Sequence, residues 1–175
     1  MPSFDTLLAE QIGHEFAASQ QYIAIAVWFD DRDMPQLAKH FYRQSVEERN
    51  HAMMLVQYRI DRDMGVVIPG VPEVQNEFAD HREPIRLALA QEQRVSEQIQ
   101  ALFTAARAEN DGLGEQAMLW FLKEQVEEVA SMQTLLTIAE RTDNLFDIEN
   151  FVARDVAAQD TGDGADAPEA AGGAL

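Results

Sequence analysis

The sequence contains no cysteine, which excludes disulfide bonds, zinc–thiolate sites and iron–sulfur clusters held by cysteine. It contains no apolar run near the roughly 20 residues that a membrane-spanning helix needs. The N-terminal stretch MPSFDTLLAEQIGHEF carries acidic side chains, whereas a secretory signal would begin with basic ones. We therefore expect a cytoplasmic protein that does not bind a membrane.

Basic residues are also scarce. The chain has 13 Lys and Arg against 31 Asp and Glu, a formal net charge of −18. Because nucleic-acid phosphates are neutralised by Lys and Arg, this charge argues against a nucleic-acid partner. Two interpretations of the excess acid stay open: it keeps the surface soluble, or part of it attracts cations.

What the sequence does contain is helical periodicity. The 175 residues are 46% apolar, enough for one domain with a substantial core. Apolar spacing predicts long helices over residues 5–31, 35–64 and 83–109, and a fourth that follows the NDGLG turn at 110–114 and ends near 141. The TDN sequence then offers an N-cap for a short fifth helix that ends near residue 157.

The segment GVVIPGVPEVQNEFADH, residues 65–81, breaks this pattern with two prolines and two glycines. Fully extended it would reach about 56 Å, whereas a helix of about 30 residues is about 45 Å long. It can therefore cross the whole length of a bundle. We predict an all-α fold: a four-helix bundle with one long crossover between helices two and three and a short fifth helix.

Residues 158–175 differ in composition from the rest of the chain. The stretch AQDTGDGADAPEAAGGAL has almost no large apolar side chain and predicts a flexible acidic tail. The alternative is that this tail docks on another protein. The predicted division is thus a helical domain over 1–157 and a tail over 158–175.

Each long helix has an apolar stripe at the 3–4–3–4 spacing of a bundle seam, and each stripe has a glutamate near its middle. The four are Glu15, Glu48, Glu92 and Glu128. If neighbouring helices alternate in direction, these carboxylates converge on the bundle centre, with His51 and Gln125 beside them. Glu124 is a near neighbour of Gln125 that could take its place in the seam.

Four carboxylates in an apolar core need compensation, because each buried ion costs several kcal/mol and like charges raise one another's pKa. Two divalent cations would match their charge. One Glu-x-x-His pair on a helix is common and usually without function, but Glu48 and His51 complete a set that includes three other seams. Oxygen ligands with one nitrogen favour iron or manganese, and inward-pointing Glu-x-x-His is the pattern of dinuclear carboxylate bundles.

At these residues the sequence resembles the ferritins, specifically the non-haem bacterial type, over residues 4–157. The most specific matches are the glutamate of HEFAASQQY, EERNH in helix two, QEQ in helix three and EQVEE in helix four. The resemblance implies iron storage in a hollow shell of twenty-four subunits. It also implies a ferroxidase centre within each subunit, where dioxygen or peroxide oxidises Fe(II) before Fe(III) is deposited as mineral.

The resemblance also implies a role for each site residue. Glu15, Glu48 and His51 would bind one iron, and Glu48 would bridge to a second iron held by Glu92 and Glu128. Gln125 would be the amide that contacts bound water or dioxygen. The neighbouring aromatics would be Tyr22 and Trp120, for which a plain core role stays equally open.

Two further iron sites are possible outside the dinuclear centre. A third iron site would be formed by Glu47, Glu124 and Glu127, with Glu128 shared; the alternative is an ordinary solvated face. Asp111 and Glu115 are candidates for a three-fold iron channel, although loop acids are usually just solvated. The other histidines, His14, His40 and His81, are expected on the surface.

Departures from related families narrow the prediction. Haem-binding bacterioferritins carry a methionine directly after the glutamate of Glu-x-x-His, where this chain has Arg49, so we expect no haem. A peroxidase of the rubrerythrin type normally adds a cysteine-rich module, which this chain lacks. A shell without enzymatic activity is the other alternative, and the complete set of ligands argues against it.

Overall fold

We analysed a computed structural model of the chain, which describes residues 2–159 and 166–175. Its helices are α1 (Phe4–Asp30), α2 (Pro35–Asp61), α3 (Arg82–Ala108), α4 (Gly112–Arg141) and α5 (Leu145–Gln159). The described part of the chain contains no strand. The predicted all-α architecture is confirmed, and the helix ends differ from the predicted ones by a few residues. None of the described helices is long and apolar enough to cross a membrane.

Local signals in the sequence set the start of each helix in the α1–α2 hairpin. The Ser3 hydroxyl caps α1 by accepting a hydrogen bond from the Thr6 amide at 3.2 Å. Pro35 begins α2, a position where its missing N–H leaves no bond unmade. The turn between the helices places Asp33 at a positive φ of 54°, a conformation that aspartate tolerates better than most residues.

The crossover between α2 and α3 follows α1 along its length. Pro69 lies so close to Gly13 that a Cβ there would be 3.1 Å from the proline Cγ. Further along, Gln21 and Gln75 exchange two hydrogen bonds of 2.8 and 2.9 Å between side chain and backbone. Because the crossover returns the chain to the far end of the bundle, α3 begins beside the C-terminal end of α1.

The core consists of two apolar clusters, one at each end of the bundle. The first joins the C-terminal half of α1 to the N-terminal half of α2, the start of α3 and the end of α4, and it includes Phe29, Phe41 and Leu135. The second joins the opposite halves of the same helices and includes Leu8 and Leu102. Neighbouring helices therefore run in opposite directions, as the prediction of a shared midpoint required.

The fifth helix closes one end of the bundle. Ile148 and Val152 of α5 are buried in the first cluster. The Glu149 carboxylate accepts hydrogen bonds from the backbone amides of Gln36 and Leu37, both at 2.9 Å. Since Met34 at the N-cap of α2 provides no side-chain bond, a residue of α5 satisfies the first amides of α2.

Residues 166–175 differ from the predicted flexible tail, because they lie against α2. The Ala171 amide donates to the Met53 carbonyl at 3.0 Å, and Leu175 bonds to the Asn50 side chain through both its amide and its carbonyl. The small side chains allow this close approach, and Gly172 and Gly173 supply positive φ angles of 78° and 84°. Residues 160–165, also in the predicted tail, lie outside the described residues.

Candidate metal centre

Six polar side chains lie buried between the two apolar clusters, at the middle of the bundle. Each long helix contributes at least one: Glu15 from α1, Glu48 and His51 from α2, Glu92 from α3, and Gln125 and Glu128 from α4. Glu48 and Glu92 have no exposed surface. The 3–4–3–4 spacing places these residues on the same stripes as the core side chains, so their burial follows directly from the helix geometry.

The ligand atoms fall into two groups that share one residue. In the first, Glu15, Glu48 and His51 each offer an atom, and these atoms lie within 4.8 Å of one another. In the second, Glu48, Glu92 and Glu128 do the same. We call these the first and second triads. Since Glu48 belongs to both, the geometry is that of two adjacent cation sites joined by a carboxylate.

The carboxylates of this centre disfavour their own ionisation. Burial is the main cause that raises the pKa of Glu48, and repulsion from Glu128, Glu92 and Glu15 adds to it. Burial likewise raises the pKa of Glu128, followed by repulsion from Glu92. The pKa of Glu92 is raised by burial, although hydrogen bonds from Glu128 and Tyr22 oppose this. Without cations, burial and mutual repulsion therefore favour the protonated forms of these carboxylates.

Several carboxylate oxygens of the centre have no hydrogen-bond partner. They are Glu15 Oε2, both oxygens of Glu48, and Glu128 Oε1. An unpaired buried carboxylate oxygen is costly, because it has given up water and received nothing in return. Divalent iron prefers oxygen donors with some imidazole nitrogen, so the residues present fit a pair of such ions.

Tyr22 and Gln125, which were expected near the centre, both contact residues of the second triad. The Tyr22 hydroxyl donates to Glu92, and its pKa is raised by burial first and by the charge of Glu92 next. The Gln125 amide nitrogen lies 3.5 Å from Glu92 Oε2 and 3.4 Å from Glu128 Oε2. Ser96 fixes this amide, with its hydroxyl 2.9 Å from Gln125 Oε1.

Aromatic rings enclose the first triad. The ring centroids of His51 and Trp120 are 5.8 Å apart, and those of His51 and Phe121 are 5.7 Å apart, both in edge-on contact. Trp120 therefore touches a residue of the centre, as the sequence analysis expected. Packing by two rings limits the space in which the imidazole can move.

Sequence reasoning missed one polar residue of this centre, Gln11. This side chain is 1% exposed, and its amide nitrogen donates to Glu15 Oε1 at 2.8 Å. The signal was available, because residues four apart lie on the same face of a helix. The sequence did not show that the side chain of Gln11 would be buried.

The expectation of three surface histidines is wrong for His40. His14 is exposed and His81 is half-buried, but His40 is buried with its ring edge-on to Phe41, their centroids 5.0 Å apart. Burial first, and then the charge of Arg43, lowers the pKa of His40 to about 4. Position 40 lies beside the seam, where helix periodicity alone does not separate core from surface.

The residues expected at a third iron site are less buried than those of the centre. Glu47 and Glu124 are half-buried and Glu127 is exposed. The charge of Glu47 contributes to the raised pKa of Glu128, so the two carboxylates are neighbours. Glu47 also accepts a hydrogen bond from Gln44 at 2.7 Å. The third site stays a prediction.

The two acids expected at a channel are engaged within the chain. Asp111 caps α4 by accepting from the Gly114 amide at 3.0 Å, and it also forms an ion pair with Arg62 at 3.0 Å. Glu115 pairs with Arg107 at 2.9 Å. Each has a structural role that the sequence analysis did not assign, and their role in a channel stays a prediction.

Comparison with known proteins agrees with this architecture. The family model described as the ferritin-like domain matches residues 6–142. The chain is 62% identical to Ferritin BfrB of Mycolicibacterium smegmatis over 175 residues, covering 98% of this chain and 94% of that protein. It is 58% identical over 173 residues to a Mycobacterium tuberculosis protein named Bacterioferritin BfrB, with the same coverage.

More distant similarities extend the comparison. A bacterial non-heme ferritin of Staphylococcus saprophyticus is 35% identical over 127 residues, covering 73% of this chain and 76% of that protein. The crystal structure of an open pore ferritin from Archaeoglobus fulgidus superimposes with a TM-score of 0.83 at 22% identity, covering 86% of this chain and 94% of that one. The chain belongs to the ferritin family.

Proposed function

We propose that each subunit oxidises Fe(II) with dioxygen or peroxide at the centre formed by the two triads. The protein is an iron-storage ferritin and a ferroxidase, and the Fe(III) product is deposited as mineral inside an oligomeric cage. The observation that carries the proposal is the pair of buried triads that share Glu48 and leave carboxylate oxygens unpaired.

Each residue of the centre has a proposed task toward its iron substrate. Glu15 and His51 hold one Fe(II), Glu92 and Glu128 hold the other, and Glu48 bridges them. Four carboxylates balance the charge of two Fe(II) ions. Each iron gives up one electron to the oxidant, and carboxylate ligands favour this because they stabilise the more highly charged Fe(III) that results.

The groups around the triads orient these ligands. Tyr22 and Gln125 restrain the carboxylates of Glu92 and Glu128 through hydrogen bonds. Gln125 is also proposed to contact water or dioxygen at the centre. Trp120 packs against His51 and excludes water from that side.

We propose that the protein binds no haem, as in the non-haem bacterial ferritins. Arg49 is half-buried at the position where haem-binding bacterioferritins carry methionine, and a guanidinium cannot act as an axial ligand because it has no available lone pair. The absorption spectrum of protein produced in haem-supplied cells tests this. Stoichiometric haem would contradict it.

We further propose a shell of twenty-four subunits in the cytoplasm. Several large apolar side chains of α1 and α2 are exposed, among them Ile23, Val27 and Val46, and they support a subunit interface that would cover them. Light scattering should give a mass 24 times that of the 19.7 kDa subunit. A monomer or dimer would contradict the cage.

Two finer assignments belong to the same proposal. Glu47, Glu124 and Glu127 would form a third iron site on the surface side of the centre, supported by the proximity of Glu47 to Glu128. Asp111 and Glu115 would contribute to a three-fold channel even though both are also paired within the chain. Anaerobic Fe(II) titration of variants at each set, read as bound iron per subunit, separates these roles.

The central test is the double variant Glu48→Ala plus His51→Ala. Loading with Fe(II) without oxygen, and then admitting oxygen, should show oxidation slowed by at least about 100-fold, because ligand removal disrupts both sites. The matched control is Glu140→Ala, which removes an exposed carboxylate that pairs with Arg86. An unchanged oxidation rate in an assembled double variant would refute the proposed centre.

A further inference from the structure

We infer that Gln11 is a positioning residue for the first triad: it holds the Glu15 carboxylate so that one chosen oxygen, Oε2, faces the iron. The inference rests on the proposed function and adds a residue to it. Gln11 lies one helical turn before Glu15 on α1, and its side chain is almost completely buried.

The hydrogen bond between the two side chains has a fixed direction. The nitrogen of a side-chain amide carries two hydrogens and can only donate. The Gln11 amide nitrogen, 2.8 Å from Glu15 Oε1, is therefore the donor. The i, i+4 spacing on a helix brings these side chains together without strain, so the contact does not need other parts of the structure to move.

The consequence of this bond is that the two oxygens of Glu15 are not equivalent. Oε1 is bound to Gln11, whereas Oε2 is buried with no hydrogen-bond partner. Oε2 is therefore the oxygen better able to bind a cation held with Glu48 and His51. The amide of Gln11 thus fixes the orientation of the Glu15 carboxylate. An apolar side chain at this position would leave the carboxylate group free to rotate.

The second triad has its own amide, but a looser one. Gln125 lies 3.5 Å from Glu92 and 3.4 Å from Glu128, near the limit for a hydrogen bond. The carboxylate of Glu92 is held by the Tyr22 hydroxyl instead, whereas Gln11 bonds to Glu15 of the first triad. Removing the Gln11 donor should therefore change one metal-binding step and leave the other nearly unchanged.

The experiment uses Co(II), which binds carboxylate and imidazole ligands and reports their geometry in its visible absorption bands. In the assembled wild-type protein, anaerobic titration should resolve two Co(II) ions per subunit. In Gln11→Met, which keeps side-chain length but has no donor, one step should weaken by about 10- to 100-fold, as expected for loss of a group that orients a metal ligand. The band intensities of that ion should change as well.

Two more variants keep the result interpretable. Gln11→Asn retains an amide that is one methylene too short to reach Glu15, so it should behave like Gln11→Met, and it serves if the first variant does not assemble. The control is Gln21→Leu, which removes a buried amide of the same helix that bonds to the Gln75 backbone instead. It should lower thermal stability without altering either Co(II) step.

The outcomes separate this inference from the proposed function. If wild type binds two Co(II) ions and assembled Gln11→Met or Gln11→Asn binds both with wild-type affinity and spectrum, the positioning role is wrong and the centre stands. If both steps weaken equally, the effect is general and the role is also wrong. If wild type itself binds no pair of ions, the proposed centre fails independently of Gln11.

Discussion

The ends and the middle of the bundle are built from opposite kinds of side chain. Each end is filled by an apolar cluster, in which residues such as Phe41 and Leu102 are completely buried. The middle holds carboxylates that are equally buried and whose pKa values are raised. Burial stabilises the ends through the hydrophobic effect, whereas it destabilises the middle as long as no cation is bound. The ends therefore supply the stability that the middle requires.

The largest effect on stability should come from an end. Replacing Leu102, fully buried in the second cluster, by alanine removes apolar contacts and leaves a cavity. We expect the metal-free subunit to lose about 2–5 kcal/mol of unfolding free energy, measured by denaturant titration. Co(II) binding by the folded variant should be unaffected. A loss below 1 kcal/mol (roughly the cost of one methylene) would mean that the cluster contributes less than its burial indicates.

A replacement in the middle of the bundle should change the stability of the metal-free protein in the opposite direction, by increasing it. Glu48→Leu removes a carboxylate that is repelled by Glu128, Glu92 and Glu15 and fills its space with an apolar side chain. Replacing buried charged groups by well-packed apolar ones can stabilise a protein by about 1–4 kcal/mol. The metal-free variant should therefore unfold at a higher temperature than wild type while losing the oxidation activity. If it is less stable than wild type, the contrast between the ends and the middle breaks down.

The pH dependence sharpens the same contrast. Because the folded pKa values of Glu48, Glu92 and Glu128 are raised above the ordinary 4.5, the folded protein holds protons that the unfolded chain releases. These three groups thus contribute most to the stability of the metal-free protein below the ordinary pKa. Their contribution falls as pH rises toward the raised values, by at most about 1.4 kcal/mol per pH unit for each group.

The measurement for this prediction is the thermal midpoint at several pH values, with and without saturating Co(II). Bound cations replace the protons, so metal should stabilise the protein more as pH rises. The downward slope should disappear in the loaded protein. Identical slopes with and without metal would show that the carboxylates of the middle do not govern this pH dependence.

The smallest effect concerns the contact between α5 and α2. Glu149→Ala removes the carboxylate that bonds to the first amides of α2, and loss of such a cap costs about 1 kcal/mol. The matched control, Glu140→Ala, removes a half-exposed partner of Arg86 and should change stability by less than about 0.5 kcal/mol. If denaturant titration gives the same loss of unfolding free energy for both variants, Glu149 does not act as a cap for α2.

Much of this fold could be predicted because helix periodicity determines which side chains share a face. The four central glutamates were identifiable since each interrupts an apolar stripe, and their convergence followed once a crossover reversed the chain direction. Glu149 could not be predicted in the same way, because its partners lie in another helix that is far away in sequence. Such contacts depend on how elements pack and leave no periodic signal.

Two other differences have physical reasons of their own. His40 lies on the flank of its helix, where burial depends on the neighbouring element. The segment 166–175 lacks large apolar side chains, which predicted a flexible tail, but small residues also allow a backbone to approach a helix closely. Composition shows how little apolar surface a segment can bury and says nothing about backbone hydrogen bonds to a surface already in place.

The cap on α2 has a consequence for the order in which the protein is made. Gln36 and Leu37 emerge from the ribosome early, whereas Glu149 follows 113 residues after Gln36. Until Glu149 has been made, the first amides of α2 therefore lack the partner that they have in the folded protein. The N-terminal end of this helix reaches its final state only after that point, so a helix that is made later stabilises one that is made earlier.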